Sequence, residues 1–384
     1  MMDPVRLAQE LVRIPSPPGA EKELADFLFS QLRRVGEVER GPLGTIIGRL
    51  RRGEGPTVLL TGHMDTVPEG AGWSVPPFSG EIREGFLYGR GAVDMKSAIA
   101  AQIAGAHQAA PDIHGTLYLV YVPHEETAEG LALGRVLDRI EKPDLVVLGE
   151  PTDLRLGIGH RGRVVIRLVA RGKPAHASMP ELGENAIERM LHALSHALRT
   201  PLPEDPLLGT GSIAPVFVSA DGQGPVIPDR CVALLDRRIV LGETEESVLA
   251  DYHGIGAEAT IEQINLRFYT GEVVEAKLFF PAWYLAPDHP WVQRAWEALG
   301  SPPFRVWRFS TDGVESCGRR GIPTVGFGPG EERMSHQPDE RVSIADIKLA
   351  ALGYAKLLRN LLQPDRKPEE SARPPRQGRG RRHR

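Results

Sequence analysis

Apolar runs with polar ends divide this chain into elements. Runs at 45–50, 57–61, 117–122 and 144–148 are apolar with little alternation. That pattern predicts strands buried on both faces, as in an α/β sheet. Helical spacing falls between and before them. Asp3-Pro4 can cap and start a helix running to about Arg13, a second helix over about 20–35 stops at Gly36, and a small-residue helix covers about 95–110. Near Gly159 the pattern changes. Residues 163–170 alternate partly, 184–198 and 244–252 read as helices, and 211–220 and 231–240 read as strands. Two strand–helix–strand units of this kind make an α+β sandwich with its helices on one face of an antiparallel sheet. From about Pro281 the first pattern returns, with a helix at 290–299, strands at 305–307 and 322–327, and a last helix capped by Ser343. The expected organisation is a discontinuous α/β domain, 1–158 and 282–363, with a lid inserted at 159–281.

Length supports this division, since 384 residues are many for a single core. With 41% hydrophobic and 25% charged residues the chain reads as globular. No apolar stretch approaches the roughly 20 residues of a spanning helix, and the N-terminus lacks the pattern of a signal peptide. A cytoplasmic protein without a membrane partner is expected. The two cysteines, Cys231 and Cys317, form no metal-type pair and read as packed thiols. The net charge of −4 conceals a basic end: residues 364–384 hold eight Lys/Arg against three Asp/Glu. That tail is expected to be disordered, and it is the one segment suited to touching nucleic acid.

Chemistry gathers at the strand ends. His63-Met-Asp65, Glu125-Glu126 and Glu150 each follow an apolar run, Asp94 opens a helix, and His336 lies near the C-terminus. In open α/β sheets such strand ends converge on one ligand crevice. Two His and three carboxylates suit two divalent ions, zinc foremost with cobalt or manganese tolerated. Asp94 is the candidate bridge, and Glu125 is left for proton transfer. Asp65, two residues after His63, can hydrogen-bond the imidazole and fix its orientation. His107, His114, His124, His192, His196, His253 and His289 have no comparable setting and read as structural.

These residues carry a family resemblance. Gly62-His63-Met-Asp65, Gly89-Arg-Gly-Ala-Val-Asp94-Met-Lys, His124-Glu125-Glu126, Gly149-Glu150-Pro-Thr, Gly172-Lys-Pro-Ala-His176-Ala-Ser and Ser335-His336-Gln-Pro-Asp-Glu match in order and spacing. The chain resembles the acetylornithine deacetylase, succinyl-diaminopimelate desuccinylase and aminoacylase family of dinuclear zinc metallopeptidases, from about Asp3 to Leu362. Phe309-Ser-Thr-Asp312-Gly, Val226-Ile-Pro-Asp-Arg and Val325-Gly-Phe-Gly-Pro-Gly-Glu resemble its branch linked to selenium metabolism. The resemblance implies a phosphorylase/hydrolase-like zinc-peptidase catalytic domain with the inserted lid, and hydrolysis of an N-acyl amino acid or short peptide-like amide; a dipeptidase or aminopeptidase is the alternative. It implies His63 and Glu150 on one ion, Glu126 and His336 on the other, Asp94 bridging, and Glu125 as general base to water. It further implies a cis peptide after Asp94, a homodimer through the lid, and His176 of a partner's lid stabilising the oxyanion. Arg238 would pair with a substrate carboxylate, with Asp312, Gly328 and Gly330 lining the pocket. Two departures stand out: Pro225 where many relatives carry Asn, and Asp312 where the branch more often has Asn.

Overall fold

A computed structural model describes residues 2–222 and 224–363. The basic tail expected to be disordered lies outside them. The larger sheet has nine strands, in the order Glu37–Arg40, Ile46–Arg52, Gly115–Val122, Thr57–His63, Leu145–Leu148, Thr324–Gly326, Leu156–His160 and Trp283–Tyr284, with Phe304–Trp307 also pairing with Leu156–His160. Its four central strands, from Gly115–Val122 to Thr324–Gly326, run parallel. Every residue of Thr57–His63 and Gly115–Val122 is buried. Helices cover both faces, so these strands need no polar side.

One face packs on helices Pro4–Val12, Lys22–Leu32, Ser97–Ala109, Pro290–Ala298 and Ile344–Leu361. Local signals place these helices. Asp3 accepts the backbone N–H groups of Val5 and Arg6, Pro4 opens the first turn, and Val5, Leu7, Ala8, Leu11 and Val12 turn inward. Ser343 caps the last helix through the Asp346 amide. The other face packs on helix Leu131–Leu137, on Trp283 and Trp307, and on a hairpin of Gln263–Arg267 with Val273–Lys277.

A second, wholly antiparallel sheet has the order Ser212–Ala220, Arg230–Ile239, Gly162–Arg171, Glu258–Ile261, with Phe279–Phe280 also on Gly162–Arg171. Helices Ala186–Ala197 and Glu245–Ala250 close a separate core against it through Met190, Ala193 and Val248. Asn185 and Thr244 cap them, Thr244 in a reciprocal box with Ser247. The chain therefore forms an α/β sheet with an α+β layer placed between its strands in sequence. At the edge strand Ser212–Ala220, Val216, Phe217 and Val218 are at least half exposed.

Among the departures from expectation, one boundary and one missed strand have a plain cause. The helix expected from Met95 begins at Ser97, because Asp94 and Met95 are non-helical and joined by a cis peptide. The strand Glu37–Arg40 gave no apolar signal, as an edge strand needs none. No helix among the described residues is long and apolar enough to cross a membrane. Both cysteines are free thiols.

Candidate metal centre

The parallel strands deliver the ligand-type residues to one end of the sheet. His63 is the last residue of its strand, Glu125 and Glu126 follow Val122, and Glu150 follows Leu148 by two. Gly62 and Gly149 precede His63 and Glu150 for a steric reason. A Cβ at either would lie 2.5 or 2.4 Å from Met95 Cε, which packs between the two strands. Met95 thereby seats the loop carrying Asp94 against both neighbouring ligand positions.

The five side chains expected to bind metal come together. His63 Nε2 lies 2.9 Å from Asp94 Oδ1 and 4.0 Å from Glu150 Oε1. His336 Nε2 lies 3.2 Å from Asp94 Oδ2 and 3.1 Å from Glu126 Oε1. Each Asp94 oxygen thus faces a different imidazole. Donor atoms of His63, Glu125 and Glu150 fall within 4.8 Å of one another, as do those of His63, Asp94 and Glu126. Glu125 Oε1 is buried with no hydrogen-bond partner. A buried orphan carboxylate oxygen amid three further carboxylates and two imidazoles is the donor set that divalent cations balance, so the residues fit two such ions.

Electrostatics agree. Burial opposes protonation of His63, yet Asp94, Glu125 and Glu150 outweigh it and push its pKa well above the ordinary value. His336 is driven up to about 10 against burial by Asp94 and Glu126. Burial would raise Asp94, but its bonds to His336 and His63 hold it far below the usual range. Burial, reinforced by neighbouring carboxylates, pushes Glu125 and Glu150 well up.

Buried carboxylates fasten the surrounding loops. The expected contact of Asp65 with the His63 ring is corrected: His63 Nδ1 lies 2.8 Å from the Asp65 backbone oxygen, and 3.8 Å from its carboxylate. The Asp65 carboxylate instead accepts the amides of Glu125 and Glu126, both at 3.0 Å. Burial first of all lifts its pKa to about 8, with His63 pulling the other way. His124, read as structural, bridges Thr127 Oγ1 and the Arg267 carbonyl, tying this loop to the hairpin.

A cleft of about 400 Å³ opens beside the cluster, lined by Asp94, Glu125, Glu126, Glu150 and His336, and across from them by Arg163, Asp236 and Arg238 of the antiparallel sheet. Arg238 donates through Nε and Nη2 to Asp236, at 2.8 and 3.3 Å. Arg163 bridges Asp236 and Glu129, and Glu129 also accepts the Ser310 hydroxyl. Arg237 points away, its buried guanidinium pairing with Glu243 and with the partly exposed Asp251.

Three expected pocket residues are placed otherwise. Asp312 is buried and accepts the Gly130 amide at 2.7 Å, its pKa pushed up to about 6 by burial. The Gly328 amide is taken by Thr152 Oγ1, and the Gly330 carbonyl by the Asp153 amide. The Gly328 donor, already paired inside the protein, is not offered to a ligand, and neither glycine is among the residues lining the cleft. His176 is exposed, its Nδ1 accepting from Ser178, and it is not among the residues lining its own chain's cleft. Sequence reading missed Glu129, Arg163 and Asp236. Glu129 lies four residues beyond Glu125, but only folding brings Arg163 to it.

The sequence model of Peptidase family M20/M25/M40 matches residues 59–360. The chain is 32% identical over 380 residues to the uncharacterized protein YgeY of Escherichia coli K12, covering 92% of this chain and 93% of that one. It is 33% identical over 392 residues to succinyl-diaminopimelate desuccinylase of Sphingopyxis alaskensis, covering 94% and 99%. Among solved structures, the M20 family metallo-carboxypeptidase Sso-CP2 from Sulfolobus solfataricus has a TM-score of 0.75 at 16% identity, covering 94% of this chain and 99% of that one. At that identity the likeness is one of fold.

Proposed function

The chain belongs to Peptidase family M20/M25/M40, and from that premise we propose that this metal-dependent amide hydrolase removes the acyl group from an N-acyl amino acid or a short peptide-like substrate. The observation that carries the reading is the orphaned, buried Glu125 carboxylate oxygen beside two merging groups of metal-type ligands. His63 and Glu150 would hold one ion and Glu126 and His336 the other, with Asp94 between. Zinc suits this imidazole–carboxylate set, and cobalt or manganese would be tolerated. Bound divalent ions supply Lewis-acid polarisation of the amide carbonyl and lower the pKa of water.

Glu125 accepts the proton of the attacking water and returns it to the leaving amine nitrogen. Arg238 receives a substrate carboxylate: its bond to Asp236 engages Nε and Nη2, leaving Nη1 to turn to the cleft. A panel of N-acyl amino acids and dipeptides tests the assignment. Acyl amino acids should turn over faster, and Arg238→Ala should raise KM for them by about 10- to 100-fold, the worth of a charge-assisted hydrogen bond. Preference for dipeptides would transfer the assignment to peptidase activity.

The layer at 159–281 is read as a lid that also pairs two subunits, bringing the partner's exposed His176 to the oxyanion. The exposed apolar edge Ser212–Ala220 supports this, since an uncovered edge strand is a ready pairing surface. Sedimentation should give a two-chain mass for the wild type and a monomer for Val216→Lys with Val218→Lys. A monomeric wild type would contradict the pairing.

A further inference from the structure

Glu340 makes a set of contacts that the reaction does not explain. Its side chain is fully buried. Oε2 accepts Arg90 Nη1 at 2.6 Å and the Gly91 amide at 3.1 Å, and Oε1 accepts the Val93 and Asp94 amides at 2.8 and 3.1 Å. Four donors use the whole accepting capacity of one carboxylate. All four come from the loop that ends in Asp94. The backbone adds to the clamp: the Glu340 carbonyl accepts the Gly89 amide, and Arg341–Ser343 pairs with Phe86–Tyr88.

Glu340 also stands four residues beyond His336. One side chain therefore ties the segment carrying His336 to the loop carrying Asp94, and those two residues meet at 3.2 Å in the cluster. Arg90 extends the tie outward by stacking on Trp73 and donating to the Glu69 carbonyl. The Asp94 carboxylate faces His63 on one oxygen and His336 on the other. A small rotation of its loop would spoil both contacts together.

We propose that Glu340 is the positioning residue for the bridging carboxylate, setting the Asp94 loop so that two cations bind as a pair; this rests on the reading of Asp94 as a shared ligand. Glutamine has the shape of glutamate but turns an NH₂ donor toward two of the four N–H groups, so the clamp cannot close in E340Q. Partners that orient metal ligands are worth about 10- to 100-fold in metal affinity or activity.

The test compares full-length wild type, E340Q and E340D, with E315Q as a control. Glu315 is a buried carboxylate with its own partners, Arg319 and Arg320, away from the cleft. Zn²⁺ binding is measured by equilibrium dialysis, alongside kcat, KM and apo-protein unfolding. The expected result is a 10- to 100-fold loss of affinity for the weaker ion in E340Q, with kcat recovering as Zn²⁺ is raised and KM unchanged. E315Q should alter unfolding only. E340D keeps the charge but is too short to reach all four donors, so it should fall between; it carries the test if E340Q does not fold. Wild-type affinity for both ions in E340Q or E340D overturns the proposal, as does an equal loss in E315Q. A wild type that binds fewer than two ions overturns the shared-ligand reading first, and the proposal with it.

Discussion

Glu125→Gln is expected to lower kcat by about two to four orders of magnitude while leaving both cations bound. The substitution keeps the shape of a buried side chain, so it opens no cavity and strains no neighbour. It removes only the oxygen able to take a proton. That oxygen lies in the cleft without a hydrogen-bond partner, whereas Glu126 already meets His336. The two adjacent glutamates thus differ in setting through position alone. Glu125 is the deeper of the pair and gathers with His63 and Glu150, whereas Glu126 gathers with His63 and Asp94. Burial and the surrounding carboxylates favour its protonated form, and nearby cations act in the opposite direction. Steady-state kinetics with metal analysis of the same preparation decide the matter. Activity within tenfold of wild type would remove Glu125 from the proton path.

Removing the cations is expected to abolish turnover and to destabilise the fold; Asp94→Ala should do both irreversibly. Without cations, Asp94, Glu125, Glu126 and Glu150 share one small volume in which His63 and His336 are the groups in contact to balance them. Like charges at such separations repel, and the imidazoles respond by holding protons. Metal binding relieves this and adds the stabilisation that any native-state ligand confers, about 2.7 kcal/mol at a free concentration 100 times its Kd. Dialysis against a chelator should therefore lower the unfolding midpoint, and returning Zn²⁺ should restore both midpoint and activity. Asp94→Ala removes the carboxylate that faces both imidazoles, so added Zn²⁺ should restore neither. A chelated wild type with undiminished turnover would contradict metal-dependent chemistry.

Much of this site was legible along the chain. Apolar runs located the strands, and the ligand-type residues stood just beyond their ends. Where strands lie parallel, that position is enough to bring them together. The caps at Asp3 and Ser343 were equally plain, because a cap joins residues two to three apart. Contacts between distant segments were not legible. Arg90 and Glu340 are 250 positions apart, and Glu129 and Arg163 are 34 apart, one on the loop after Gly115–Val122 and the other on the antiparallel sheet. Nothing in local spacing says which of many acidic residues a given arginine will meet.

The sequence by itself determined the α/β pattern, the interruption by an α+β layer, and the six ligand-type side chains, His63, Asp94, Glu125, Glu126, Glu150 and His336, that the fold gathers. Those properties follow from periodicity and residue type, which are local. Tertiary structure decided how each group is used: the Asp65 carboxylate serves two loop amides and leaves the imidazole to its backbone oxygen, the Gly328 amide bonds Thr152, and Arg238 is held by Asp236. Such choices depend on which donor and acceptor lie within about 3 Å once the sheets have packed. That distance is a property of the folded whole.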